Sequence, residues 1–393
     1  MAYDVIVVGT RVAGSATALL LARRGLKVLA VDRARFPSDT LSTHQVQPPG
    51  VARLRAWGLL EPLVAAGTPM ARTATFDTGP TVLHGAYPGP DGVLSPRRTL
   101  LDAALLDAAR EAGAEVWEGF TVEEVRPGGI AGRFHRTLRT AEAEAPFVVG
   151  ADGKHSTVAK AVRAREYRAR PGTAAACYAY VEGLELTGGE VYARPDRLAG
   201  AWPTNDGLCV VYLGVPRERF DAVRAAGFVR SLPPELGERV AAGRIAERVR
   251  ATTDLPNVFR RPYGPGWALA GDAGLVMDPI TGQGIGNALR DAEALAAALA
   301  DGLGGARPLR PALRAYHRGR DRDRRAMYRI TTGMAAFRRD RFGPALYRRI
   351  AGNPAEVTRF LGAISGAIPA RDYFGPLGLL GTVTGWRPTP RAA

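Results

Sequence analysis

Apolar residues in this chain come in two rhythms. One is the short unbroken run. Val5–Val8, Val28–Val31, Phe147–Gly150 and Trp267–Ala270 lack polar side chains, the pattern of parallel strands buried on both faces. The other is alternation. In Thr173–Val181, Tyr178 and Tyr180 share one face and Cys177 and Ala179 the other, as in a strand between two environments. Val191–Tyr192, Leu198–Trp202 and Leu208–Gly214 continue that sheet, with Asn205-Asp206-Gly207 as a hairpin turn. Thr73–Thr81, Gly85–Leu94 and Val116–Val122 also read as strands, and Thr137–Glu144 as a strand pairing with a neighbour.

Between these runs the period lengthens. Ala13–Arg24 is rich in Ala and Leu, holds no proline and is closed by Gly25, so it reads as a helix. Arg98–Ala112 carries Leu100, Leu101, Leu105 and Ala108 as an apolar stripe, with Gly113 as its stop. Val51–Trp57, Leu59–Ala66, Phe220–Ala226, Phe228–Leu232 and Pro234–Ala242 read as helices, and Ser156 stands where a helix cap belongs. The chain is helical from about Leu309 and ends in an apolar, glycine-rich stretch, Phe374–Trp386. The stretch after Arg33 is too long and proline-rich for regular structure.

The buried runs and the alternating runs interleave. An α/β unit with a Rossmann-like sheet draws on 1–72, 98–164 and 263–305. A mainly antiparallel sheet draws on 73–97 and 165–262, and a helical region fills 306–393. This predicts a second domain inserted into the first, with a cleft between them. The length of 393 residues suits that arrangement. No internal repeat occurs.

Composition narrows the setting. The longest apolar runs are too short for a membrane span, and a strand begins too early for a signal peptide. Cys177 and Cys209 make neither a disulfide framework nor a metal cluster; a cytoplasmic protein is expected. The net charge is +15, yet only Lys27, Lys154 and Lys160 are lysines. That bias toward arginine reads as genome composition. The basic peak at Arg307–Arg349 reads as a solvated helical face, because no nucleic-acid-binding motif accompanies it.

Chemistry concentrates in three places. Strand, glycine turn, helix, strand and acid run from Val5 to Asp32, the dinucleotide-binding βαβ order, in which the turn cradles a pyrophosphate and the acid takes a ribose. Gly9 and Gly14 fill the first and third glycine positions, and Arg11 stands at the second. Its side chain must point away or use its guanidinium on the phosphates; it is expected to help hold the pyrophosphate. The second place is Gly150-Ala151-Asp152-Gly153. The third is Gly271-Asp272-Ala273, followed by Asp278-Pro279-Ile280-Thr281-Gly282-Gln283-Gly284-Ile285-Gly286-Asn287 and a long helix.

With Asp32-Arg33, Phe36–His44 and Gly266–Ala273, these motifs resemble the FAD-dependent monooxygenases of the para-hydroxybenzoate hydroxylase fold. That superfamily also holds geranylgeranyl reductases and flavin halogenases. The resemblance covers nearly the whole chain. It implies that Gly9, Thr10, Arg11, Val12, Ala13 and Gly14 hold the FAD pyrophosphate, and Asp32 and Arg33 the adenosine end. Val122 touches the adenine from the end of its strand, and Arg98 reaches the cofactor from its helix start. Asp152 and Gly153 lie near the pyrophosphate. Gly271, Asp272 and Ala273 meet the ribityl chain. Pro279, Gly282, Gln283, Gly284, Ile285, Gly286 and Asn287 pass beside the isoalloxazine. The helix after Gly284 would aim its positive end at the reduced ring.

The implied activity is an NAD(P)H-dependent monooxygenation of an aromatic or polycyclic small molecule by molecular oxygen, through a flavin hydroperoxide. No second nucleotide fingerprint occurs, so NAD(P)H would bind transiently. His44 is the candidate catalytic residue near the flavin, or else a structural histidine of its loop. Tyr178, Tyr180, Trp202 and Tyr212 are candidates to stack on substrate, and Tyr192 shares their sheet. The alternatives are an FAD-dependent reductase of isoprenoid double bonds, a flavin-binding protein without turnover, and a polyanion-binding protein. A halogenase is disfavoured, since its WxWxIP segment is absent.

Overall fold

The computed structural model describes residues 3–42, 44–338, 342–376 and 378–379; most of the expected Phe374–Trp386 tail lies outside them. The buried runs form one six-stranded sheet. Its order is Tyr263–Gly264, Trp267–Leu269, Phe147–Gly150, Val5–Val8, Val28–Asp32 and Glu115–Glu118. Its neighbours are parallel except at the Tyr263–Leu269 hairpin. Val5, Val7, Ala30 and Val149 point into a core with the helices Val12–Ala22, Arg98–Glu111 and Gly284–Leu303. Ile6, Val8, Leu29 and Val148 point the other way, onto Phe120, Ile130 and Ala143.

That second layer differs from expectation. The run Val116–Val122 breaks into strands Glu115–Glu118 and Phe120–Arg126. Gly119 turns the chain out of the parallel sheet with φ +68°, a conformation that glycine adopts at little cost. Val122 therefore sits inside an antiparallel strand opposite Gly132, not at a strand end. Thr140–Glu144 does pair with a neighbour, Gly129–Phe134. The sequence reading assigns no element to that neighbour, whose glycines interrupt its apolar pattern. Gly132 is needed for close approach: a Cβ there would lie 2.1 Å from the Thr121 carbonyl oxygen.

The alternating runs form an eight-stranded sheet. Ala174–Glu182, Leu208–Pro216, Arg197–Pro203 and Gly189–Arg194 are antiparallel neighbours, and Thr73–Asp77 adds to the last of them in parallel. The Asn205–Gly207 turn has positive φ at Asp206 and Gly207, as a tight hairpin requires. Glu166–Arg170 does not join this sheet. It pairs with Asn257–Arg260 in a small separate one.

The arginine-rich helix Leu309–Ala335 is only partly a solvated face. Arg314, Arg318, Arg322, Arg325 and Arg329 are exposed, but Arg320 and Arg324 are buried. Arg324 donates to Asp291 Oδ1 at 3.0 Å, and Arg320 donates to the carbonyl oxygens of Gly274 and Arg260. A buried guanidinium needs such partners, and here they tie this helix to the segments beside the first sheet. Among the described residues, no helix is long and apolar enough to cross a membrane.

Candidate functional site

The first turn is shaped by steric necessity. Gly9 has φ +93°, and a Cβ on it would lie 2.6 Å from the Ala151 carbonyl oxygen. At Gly14 a Cβ would lie 1.6 Å from the Gly9 carbonyl oxygen. Both glycines press the helix start against the strand ends. Gly271, with φ +57°, joins them: its added Cβ would meet the Ala13 methyl at 2.8 Å. The three motifs, far apart in sequence, therefore converge at one end of the parallel sheet.

Around this turn, Asp32 Oδ2 accepts from the Thr10 backbone N–H at 2.6 Å, and Oδ1 accepts from the Ala34 N–H at 2.8 Å. Arg33 is exposed. Arg11 is engaged by protein groups. Its guanidinium donates to Asp102 Oδ2 at 2.7 Å, the Ser38 hydroxyl at 3.1 Å and the Asp39 carbonyl at 3.2 Å. Arg98 grips the same carboxylate from one helical turn away, at 2.8 and 2.9 Å. Asp102 is completely buried and ties two cofactor candidates together. It escaped the sequence reading because an aspartate on an amphipathic helix looks like a surface residue.

Asp152 uses its carboxylate locally. It accepts from the Thr157 N–H at 2.6 Å and, more weakly, the Val158 N–H at 3.2 Å, while the expected cap, Ser156, accepts from the Ala159 N–H. Asp272 is exposed to solvent yet ringed by protein, which pushes its carboxyl up to about 6 against the pull of Arg98 and Lys154. An acid both accessible and crowded suits a position facing a ligand. Nearby, Gly284 opens a twenty-residue helix that no side chain caps, so its first N–H groups face outward. A Cβ at Gly284 or Gly286 would meet nothing within 4 Å. Such a helix start, with space before it, suits a flat anionic ring.

The model of the FAD binding domain family matches residues 2–331. The chain belongs to that family. It is an FAD-dependent oxidoreductase, and the convergent glycines, the accessible acid and the uncapped helix fit the cofactor. It is 28% identical over 306 residues to a digeranylgeranylglycerophospholipid reductase of Methanothrix thermoacetophila, covering 74% of this chain and 75% of that one. It is 28% identical over 329 residues to a 6-methylpretetramide 4-monooxygenase of Streptomyces rimosus, covering 76% of each. In fold it is similar to the flavin-dependent brominase Bmp2, with a TM-score of 0.83, 18% identity and 98% of both chains covered.

In this oxidoreductase the loop after Arg33 delivers His44 to the large sheet. His44 is fully buried with φ +65°. Its Nε2 lies 2.6 Å from the Tyr180 hydroxyl, and its ring meets Tyr178 and Tyr180 edge-on at 5.2 and 5.4 Å. The Arg97 guanidinium covers the Tyr180 ring at 4.2 Å. Tyr178, Tyr180, Trp202 and Tyr212 share one apolar cluster with Ile280 of the segment before the uncapped helix. The substrate candidates are thus brought together against that segment. Tyr192 faces the opposite side, where its hydroxyl donates to Glu190. Gln45 and Gln47 went unremarked in the sequence; they meet the same segment, with Gln45 Oε1 2.2 Å from where a Cβ on Gly282 would sit.

Burial, reinforced by Arg98 and Arg97, lowers the His44 imidazole to about 3. It is therefore neutral in the folded protein where the unfolded chain already takes a proton, below the ordinary value of 6.5. His44 accordingly costs stability as pH falls from about 6.5 toward 3. Relative to a His44→Gln variant, the parent is expected to lose stability with a slope approaching ~1.4 kcal/mol per pH unit below pH 6. Urea unfolding of both proteins from pH 7 to 4 checks this. Asp272 and Asp278 titrate oppositely but in both proteins, so they cancel in the difference. Parallel curves would show that His44 charges freely in the fold.

Proposed function

We propose that this oxidoreductase is an NAD(P)H-dependent monooxygenase placing one oxygen atom from O2 on an aromatic or polycyclic small molecule. The supporting observation is the polar content of the buried aromatic face. The Tyr212 hydroxyl and Asp278 Oδ2 are buried there without hydrogen-bond partners. Each such group costs about 1–3 kcal/mol unless something pairs with it. A substrate with ring oxygens would satisfy them, whereas an isoprenoid chain would leave them bare. Bound FAD supplies the electron transfer and oxygen activation. The chain's residues supply the rest. The tyrosines and Trp202 give a flat apolar wall. Neutral His44, held by Tyr180, presents Nδ1 as a proton acceptor or donor according to its tautomer. The packed sheet excludes water.

Resemblance to the archaeal reductase supports a second reading, reduction of an isoprenoid double bond. Turnover under oxygen-18 gas separates the two. The expected product is heavier by one labelled oxygen, with NAD(P)H consumed faster when substrate is present. Anaerobic turnover, with two hydrogens added and no label, would replace the first reading by the second.

A further inference from the structure

The two unpartnered groups, the Tyr212 hydroxyl and Asp278 Oδ2, come from different segments of the chain. Tyr212 lies directly opposite Tyr178 in the antiparallel register, so both rings emerge on the same face. Its side chain leans along its own strand, with the hydroxyl 2.8 Å from where a Cβ on Gly214 would sit. Glycine at 214 is what lets the ring lie down. Asp278 comes from the other wall. Its Oδ1 accepts from the Ile280 N–H at 3.0 Å, and its own N–H donates to Asn257 Oδ1 at 2.8 Å. Those bonds fix the carboxyl and leave Oδ2 buried without a partner. Ile280, two residues on, packs in the same cluster as Tyr212. Asp278 is also the charge that acts most strongly on the Tyr212 hydroxyl. The two groups are close enough to interact but are not bonded to each other.

A tyrosine hydroxyl can donate to a ligand, and a carboxylate oxygen can only accept. A carbonyl would satisfy Tyr212 alone; an ammonium could donate to both, but its charge would have to be desolvated to enter this buried face. A hydroxyl satisfies both, donating to one and accepting from the other. We propose that Tyr212 and Asp278 form a hydroxyl-reading subsite that takes a phenolic or enolic OH of the substrate and so fixes which ring carbon faces the segment before Gly284. This rests on the reading of the protein as acting on an aromatic molecule. It goes further by naming the recognised group and the residues that select it.

The test uses the FAD-loaded protein without NAD(P)H, with 2-naphthol and naphthalene as matched probes read by perturbation of flavin absorbance. The parent is expected to bind 2-naphthol about 10-fold or more tighter than naphthalene. That preference is expected to shrink to about 2-fold in both Tyr212→Phe and Asp278→Asn, with naphthalene affinity unchanged. Equal binding of the two probes by the parent, binding of neither, or a preference that survives in both variants overturns the subsite. Melting without probe gives a second readout. A subsite kept for a ligand leaves Tyr212→Phe as stable as the parent or more so. A fall of more than about 3 °C instead marks a structural group. Neither measurement involves oxygen, so an unlabelled turnover product would end the monooxygenase reading and leave these results standing.

Discussion

A Gly14→Ala variant is expected to emerge from purification colourless. The added Cβ would lie 1.6 Å from the Gly9 carbonyl oxygen and 3.3 Å from the Ala151 methyl. No rotamer relieves this, because a Cβ position is set by the backbone. The helix Val12–Ala22 must move off the strand by more than an ångström. That shift opens the turn on which the pyrophosphate depends. It is also resisted by a core in which Val12, Ala16, Leu19 and Leu20 are already packed. Overpacking of this kind costs about 1–3 kcal/mol or more, and the displaced N–H groups lose their aim at the phosphates. FAD affinity is expected to fall at least ~100-fold, matching the ~2.7 kcal/mol lost. Absorbance near the flavin maxima reads the cofactor, and circular dichroism reads the fold. A yellow, stoichiometrically loaded Gly14→Ala protein would show that the turn is not the pyrophosphate cradle.

The buried strands and the large sheet were legible because their patterns are local. Val5–Val8 reads the same alone as in the sheet, and the Tyr178/Tyr180 alternation survives intact. Glycines were ambiguous in proportion to how many jobs they do. Gly9 and Gly271 stand at turns, as read, but Gly129 and Gly132 sit within a strand because neighbouring chains approach closely, and spacing does not distinguish the two. Buried charge was the least visible. Asp102, Asp291, Arg320 and Arg324 lie on helices where period and polarity suggest solvent, yet each is buried with a partner on another segment. Their burial comes from the packing of helices that are distant in sequence. His44 was singled out, but its Tyr180 partner, 136 residues away, depended on the tertiary fold.

Asp102 carries the other large expectation. It accepts from Arg98 three times and from Arg11 once, at 2.7 to 3.1 Å, with no exposure of its own. Removing the carboxylate leaves the nearly buried Arg98 guanidinium without its ion partner. Breaking such a pair from one side costs about 3–5 kcal/mol, because the remaining charge stays desolvated. Asp102→Ala is therefore expected to unfold at markedly lower urea and to lose FAD, since both arginines lie beside the glycine turn. Arg11→Gly is the informative contrast. It restores the usual glycine and leaves Asp102 paired with Arg98, so its cost should stay near ~1 kcal/mol, the value of a partly exposed charged hydrogen bond. The combined Arg98→Met/Asp102→Leu protein should regain much of the stability lost by Asp102→Ala, because no buried charge is left unpaired and the partly exposed Arg11 keeps its bonds to Ser38 and Asp39. If Asp102→Ala unfolds within ~1 kcal/mol of the parent, the carboxylate is not the clamp between the turn and the helix Arg98–Glu111. If instead Arg11→Gly keeps its stability but loses FAD, Arg11 acts on the cofactor directly, and its bond to Asp102 is secondary.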